Sequence, residues 1–397
     1  MIRWRPPECA DVAAPAAAAA LLERAIAARP DSAMLRLRLA DLLLDRYDFA
    51  AAAHALEAAL RCDPALPGAR RRLARCYNLL DRHSDALDLL SAEPSPSLQR
   101  ALAFAGLGRE AEAEGEYRAV LAADPGHRHA LRHLGKILRR QGRLAELLGL
   151  CESLHASGAG HAQLLYTWGT ALALAGRDSE AHAILFDRGR VAEVALPIPD
   201  GFADIAEFNR SLADEILANP YRLSDFPAED EANRGSSRVH ALLTGRRPEL
   251  VRALLDSIQA LVEAHVPPRR GAFDPWADAR PAAAHLKAWG LIQRGDDYEE
   301  WHSHPGGWLS GVYYVQVPCC VSAEGAGPGC IEFGPPTALA RARPTYIEPW
   351  RHVPRAGFLL LAPSHYAHRT IPTGADEHRL SFAFDVVPRV PRKAGEG

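Results

Sequence analysis

Lysine is almost missing from this chain: Lys136, Lys287 and Lys393 are the only three, and arginine supplies the rest of its 46 basic residues. With the heavy alanine content, that bias points to a GC-rich bacterial coding sequence. Neither charge is in excess, since the formal balance is −3. Composition therefore gives no electrostatic case for nucleic acid or an anionic membrane as a partner. No stretch approaches about eighteen uninterrupted apolar residues, so no transmembrane helix is expected. Residues 1–8 lack the apolar core of a signal peptide, and the alanine run over 16–22 soon meets Glu23 and Arg24. The seven cysteines are odd in number and have no CxxC spacing, and Cys9, Cys62, Cys76 and Cys151 are scattered. Reduced thiols in a cytoplasmic setting are expected, not a disulfide framework.

What the chain does have divides into two halves. At 397 residues it is long for one domain. In the first half a turn position is followed five residues later by a small or apolar residue: Asp45 and Ala50, Asp81 and Ala86, Gly108 and Ala113, Gly142 and Leu147, Gly176 and Ala181. The steps between these turns are 36, 27, 34 and 34. A period near 34 built from two helices is the signature of tetratricopeptide repeats. Asp63-Pro64 and Asp124-Pro125 punctuate the handover between repeats, where proline loses no needed hydrogen bond. Small residues in Leu134-Gly135 and Trp168-Gly169 would let paired helices approach closely. Five degenerate repeats over 1–195 are expected, one of them clipped around residues 91–97; an ordinary helical bundle is the plainer alternative.

From Leu196 the pattern changes. Pro197, Pro199 and Gly201 mark a linker, and amphipathic helices follow over 205–217 and 250–266. Beyond Pro267-Pro268 the runs shorten to strands, expected over 284–292, 311–317, 330–333, 357–362 and 380–387, as a sandwich or jelly roll requires. The fold class is therefore α+β in two domains. An all-α repeat solenoid over 1–195 precedes a double-stranded β-helix over 196–397.

The second half also carries a ligand pattern. His302 and His304, two apart on a strand, point the same way, and His368 from a distant strand can complete a facial set. Such a set leaves positions open on a mononuclear Fe(II) for a 2-oxo acid and O2. The usual triad has two histidines and a carboxylate, so His304 stands where Asp or Glu is normally found. A neutral imidazole there leaves the iron one charge more positive. A three-His iron site without a co-substrate, three-His zinc and a domain with no metal all remain open. Glu300 is a further candidate, as ligand or as partner to a histidine. His365 sits an odd number of residues from His368 and should face away, as a rim or packing residue. His285, His352 and His378 read as structural.

Arg379 lies eleven residues beyond His368, room for a strand, a turn at Thr373-Gly374 and the neighbouring strand. Its guanidinium can clamp a distal carboxylate, and Ser381 shares its face. A strand-end arginine paired with Asp376 or Glu377 is the plainer reading. Tyr313 and Tyr314 face opposite ways, and parity alone leaves open which one points inward. Cys319, Cys320 and Cys330 have no regular spacing and receive no role.

Residues 200 to 390 resemble bacterial 2-oxoglutarate/Fe(II)-dependent oxygenases related to prolyl hydroxylases. The resemblance rests on His302-x-His304-Pro305, on the run from Leu309 to Val315 and on the run from Gly329 to Pro335. It continues through the stretch from Gly357 to Ser364, His368, and Arg379-x-Ser381-x-Ala383-Phe384, with Trp289 and Gly295 upstream. It implies His302, His304 and His368 as metal ligands and Arg379 and Tyr314 as the 2-oxoglutarate clamp, which Ser381 can join from the face it shares with Arg379. It also implies Fe(II) and 2-oxoglutarate as cofactor and co-substrate, although prolyl hydroxylases carry Asp at the position of His304. Repeats ahead of such a domain imply a peptide or protein partner on their concave face. The expected function is an O2-consuming dioxygenase that hydroxylates a peptide or protein side chain docked by the repeats, with no nucleic acid and no membrane involved. Three alternatives stand beside it: a catalytically degenerate scaffold, a three-His metal dioxygenase, and a small-molecule oxygenase.

Overall fold

A computed structural model describes residues 1–7, 15–224, 232–321 and 327–389. Cys9 and Lys393 lie outside the described residues. The chain forms two compact units, Val12–Gln141 and the combination of Met1–Asp11 with Gly142–Gly397. No helix among the described residues is long and apolar enough to cross a membrane.

The unit Val12–Gln141 is helical, from Pro15–Ala28 to Arg128–Arg140. Its helices begin at side-chain caps: Ser32 accepts from the Leu35 amide and Asp48 from the Ala51 amide, relieving amides that the first turn leaves unbonded. Alanines 52, 59, 86, 103 and 113 are fully buried, so the helices pack at short range. Between paired helices the chain takes a left-handed residue: Tyr47 (φ 60°), Asp81 (56°) and Gly108 (73°). The first of these turns lies two residues beyond the expected Asp45. Helix Ala33–Asp45 runs through that aspartate and Asp48 caps the next helix. Ala52, not the exposed Ala50, is therefore the buried partner, and the step from Tyr47 to Asp81 becomes 34 residues. The short step from Asp81 to Gly108 is the clipped repeat, with helices His83–Leu90 and Leu98–Gly106 of eight and nine residues. In both Asp-Pro pairs the aspartate accepts from an amide two residues on, Ala65 and Gly126 respectively.

In the other unit the helical rhythm continues through Leu144–Ala156, Ala162–Leu174 and Asp178–Leu185. Gly142 and Gly176 take the turn conformation. A Cβ on Gly169 would lie 2.6 Å from Leu185, so only glycine allows the approach of helix Asp178–Leu185. The chain then enters a sheet ordered Ala192–Ala195, Phe358–Pro363, Leu309–Gln316, Arg379–Pro388, Ala283–Gln293, Ser237–Val239, Arg222–Leu223, with Arg3–Trp4 added parallel to Ala283–Gln293. A second sheet, Trp350–His352, Ile331–Gly334 and Ala367–Thr370, is antiparallel throughout. Tyr314, Leu360 and Ala362 of the large sheet pack with Ile331 and Phe333 of the small one, as in a double-stranded β-helix. Helices Ile205–Leu217 and Pro248–His265 match the amphipathic stretches. On the large sheet the Tyr313 hydroxyl donates to buried Asn209 of the first of these helices at 2.6 Å. Several short strands were given no bounds from the sequence, among them Ala192–Ala195, Ser237–Val239 and Trp350–His352, while Ala367–Thr370 is the later strand on which His368 was expected.

Candidate metal centre

Backbone pairing brings the three histidines together. The amides and carbonyls of His302 and His368 exchange two hydrogen bonds of 2.9 Å, and the His304 amide donates to the Ser364 carbonyl at 2.8 Å. Ring nitrogens of His302, His304 and His368 then lie within 4.8 Å of one another. Each ring is also held from behind. His302 Nδ1 donates to the Glu300 carbonyl (2.7 Å) and His368 Nδ1 to the Tyr366 carbonyl (3.0 Å). His304 Nδ1 donates to Asp385 Oδ1 (2.7 Å). A carbonyl only accepts, so Nδ1 carries the proton and Nε2 keeps its lone pair. Fixing the far nitrogen in this way sets both tautomer and ring orientation for ligation.

The electrostatics separate the three rings. Burial, then the His302 and His304 rings, push His368 well below the ordinary imidazole value. His302 is lowered by burial as well. Burial acts in the same direction on His304, but the Asp385 carboxylate outweighs it and raises the imidazole. Burial would raise Asp385 in turn; His304 and the Ser310 hydroxyl hold it below the carboxylate range instead. That hydroxyl donates to Asp385 at 2.6 Å and lies 2.7 Å from the Ser364 hydroxyl. A second carboxylate, Glu299, reaches to 4.0 Å from His302 Nε2 and accepts from Arg238 at 3.0 Å. Burial works against its charge, while His302 and Arg238 hold it ionised. Glu300, the carboxylate expected from the sequence, points away to Arg234 (3.0 Å) and contributes only its carbonyl.

His304 and His368 open onto a cavity whose wall includes Arg379, Ser381, Tyr314 and Trp289. Ser381 pairs with Tyr314 across adjacent strands, and Arg379 pairs with Gln293. The Arg379 guanidinium carbon sits 5.4 Å from the Tyr314 ring centre. Arg379 is 3% exposed and Tyr314 1%. Yet Arg379 Nε bonds no protein group among the described residues, and the Tyr314 hydroxyl, on which the Arg379 guanidinium acts, donates to none of them. Buried donors left unmade are costly, and here they face a cavity beside the histidines. A compact dianion with one end at the metal and a carboxylate at the arginine fits that need, so the donor set suits 2-oxoglutarate and a divalent iron.

Three residues of this site escaped the sequence reading as contributors to its chemistry: Asp385, Glu299 and Trp289. Trp289 stacks on His304 with ring centres 5.8 Å apart, its buried Nε1 without a partner among the described residues. Asp385 lies on the face of Arg379 and Ser381 by simple parity, a signal that was available. Glu299 gave none, because the chain leaves regular strand after Tyr298–Glu299. Tyr313 turns to the helix side, leaving Tyr314 in the cavity. His365 is fully buried and donates from Nε2 to the Ile184 carbonyl at 2.8 Å, away from the metal set. His352 lies 3.2 Å from Glu193. Cys319, Cys320 and Cys330 carry free thiols, the first bonded to Glu377 and the second to the Thr373 carbonyl.

Residues 287–385 match the family described as "Putative 2OG-Fe(II) oxygenase", and residues 14–67, 37–97 and 98–156 match the tetratricopeptide repeat. Among solved structures, the tetratricopeptide protein YrrB, titled as having an unusual peptide-binding site, is 18% identical. It covers 43% of this chain and 95% of its own, with a TM-score of 0.33. A Pseudomonas putida prolyl-4-hydroxylase is 15% identical over 55% of this chain and 100% of its own, TM-score 0.31. A Trichoplax adhaerens prolyl hydroxylase, solved with a hypoxia inducible factor peptide fragment, is 12% identical over 54% and 92%, TM-score 0.36. No curated protein matches the chain. The chain thus joins tetratricopeptide repeats to a 2OG-Fe(II) oxygenase domain, and the matched family implies Fe(II) and 2-oxoglutarate.

Proposed function

We propose that this chain is an Fe(II)- and 2-oxoglutarate-dependent oxygenase that hydroxylates a side chain of a peptide or protein, with residues 1–195 as the docking repeat domain and 196–397 as the oxygenase-like domain. His302, His304 and His368 hold the iron through Nε2. Arg379 clamps the distal carboxylate of the co-substrate, with Ser381 and Tyr314 adding hydroxyl contacts. A cytoplasmic setting fits the free thiols. The observation that carries the reading is the pair of unsatisfied buried donors, Arg379 Nε and Tyr314 OH, in the same cavity as His304 and His368, two of the three imidazoles already fixed at Nδ1.

Bound together, Fe(II) and 2-oxoglutarate supply the oxidising chemistry, consuming O2 as the 2-oxo acid becomes succinate and CO2. The residues of the chain do the rest. The Nδ1 partners keep each ring in register, the arginine orients the co-substrate, and the apolar wall of Val312, Ile331, Phe333 and Leu360 keeps water out. No side chain has to move a proton at the reacting carbon.

The test is an anaerobic titration of the metal-free protein with Fe(II) and then 2-oxoglutarate, following the visible charge-transfer band of a chelated 2-oxo acid. A band that vanishes in His368→Ala and weakens in Arg379→Ala is the expected result. The imidazole at position 304 favours a second reading, a three-His centre with no 2-oxo acid. Metal binding without a band would select it, and no metal binding at all would leave a scaffold.

A further inference from the structure

We propose that a cationic face of the unit Val12–Gln141, running from the arginines of helix Ala69–Leu79 to the outer stripe of helix Arg128–Arg140, docks an extended peptide segment rich in aspartate and glutamate. The claim that this segment is the substrate rests on the oxygenase reading above; the docking itself does not.

Helix Arg128–Arg140 buries Ala130, Leu131, Leu134, Ile137 and Leu138. Opposite them, His129, Arg132, His133 and Lys136 fall at i, i+3, i+4 and i+7, one continuous stripe. Its thirteen residues include no acid, and neither do the eleven of helix Ala69–Leu79. Arg71, Arg72 and Arg75 of the latter line a groove with Gln99, Asp124 and His127.

Some of this charge is answered within the unit. Arg71 pairs with Glu93 (3.3 Å) and Arg72 with Asp41 (2.7 Å), while Asp124 accepts from the Gly126 amide. Arg75, Arg132 and Lys136 have no ion-pair partner among the described residues, although Asp45 feels the charge of Arg75. After partial burial, the cations that act on His133 are Lys136 and Arg132, and its imidazole is pushed down to about 4. Arg75 adds to the same pressure on His129 and so joins groove to stripe. Like charges one turn apart cost a helix roughly 0.2–0.5 kcal/mol per pair. An anionic partner would relieve that repulsion.

The spacing favours a peptide. Arg132 and Lys136 are separated by about 6 Å of helix rise, close to the roughly 6.6 Å between alternate residues of an extended chain. Acids at every second position would meet them in turn. A nucleic-acid strand would want exposed rings for its bases, whereas Tyr117, the aromatic beside this stripe, is fully buried beneath His133.

The test is fluorescence anisotropy on the full chain with a labelled peptide of alternating Glu and Ser, against the same peptide with Gln for Glu. The Glu peptide should bind, lose affinity as salt rises, and weaken at least about tenfold in the double variant Arg132→Glu/Lys136→Glu. The Gln peptide should not bind. Equal binding of both peptides, unchanged binding by the double variant, or tighter binding of a single-stranded oligonucleotide of equal charge would each overturn the proposal. The Fe(II)/2-oxoglutarate band is recorded on the same samples. Peptide binding without a band would sink the oxygenase reading and keep this face, and a band without peptide binding would do the reverse.

Discussion

In the proposed metal centre, an imidazole at position 304 would remove a negative charge from the metal's immediate surroundings, and Asp385 would return one from behind the ring. The 2.7 Å contact between His304 Nδ1 and Asp385 makes the ring a stronger donor than a histidine backed by a carbonyl. Asp385→Asn keeps the shape and loses the charge. It should weaken Co(II) or Fe(II) binding about tenfold, and Asp385→Ala about a hundredfold, as read by chelator competition. An unchanged affinity would mean that the carboxylate serves only to satisfy Ser310. Arg379→Ala removes a charge-assisted contact of roughly 1.5–3 kcal/mol. It should raise the 2-oxoglutarate Kd about 10–100-fold while leaving metal affinity nearly intact, which isothermal titration can separate. At this scale the sequence was informative where parity applied. Arg379 and Ser381 are paired by alternation, and Asp385 belongs to the same series, whereas His302 and His304 lie outside any regular strand and are set by single backbone pairings to His368 and Ser364. Glu299 was hidden because its side chain enters the site from a segment that ceases to be strand.

Among the elements, long periodic segments were legible, and of the short ones Ile331–Gly334 and Phe358–Pro363 were as well, whereas strands of two or three residues were not. Helices Ile205–Leu217 and Pro248–His265 and strands Ala283–Gln293 and Arg379–Pro388 fall close to where pattern puts them. Ala367–Thr370 is the strand on which His368 was expected, but its four residues, Ala-His-Arg-Thr, lack the alternation that would have bounded it. Just ahead of it, His365 ties this region to helix Asp178–Leu185 through the Ile184 carbonyl. Burial lowers its imidazole from 6.5 to about 4. Since the folded value lies below the unfolded one, the unfolded chain takes up the proton first, and stability present above 6.5 is lost as pH falls toward 4. Between neutral pH and about pH 5 the loss from this group should be about 2 kcal/mol. Urea unfolding of His365→Gln, which can still donate to the carbonyl, should show a shallower pH dependence by that amount. An identical slope would sink the assignment.

For the whole molecule, the repeat period was readable because one backbone conformation recurs: a left-handed residue between paired helices, at Tyr47, Asp81, Gly108, Gly142 and Gly176. Where the helical half ends was harder to read. Residues 142–195 pack with the sheets in one compact unit, and Ala192–Ala195 is a strand paired with Phe358–Pro363. Arg190 and Asp274, both nearly fully buried, form an ion pair of 2.8 Å. A chain begun at residue 196 would strip that edge strand and leave Asp274 without its arginine, a loss of roughly 3–5 kcal/mol. A chain begun at residue 142 keeps both. The longer fragment should melt cooperatively and bind Fe(II), and the shorter should not; equal stability by calorimetry would restore the later boundary as a folding limit.

Strand Arg379–Pro388 carries the proposed co-substrate clamp near one end and the orienting partner of a proposed metal ligand six residues on, both on the same face. It works as a ruler with both of its marks on one side. A single-residue deletion between them cannot be absorbed gradually, because it would turn one mark to the back of the sheet. Insertions and deletions in this stretch should therefore be tolerated only in pairs, whatever substrate the protein serves.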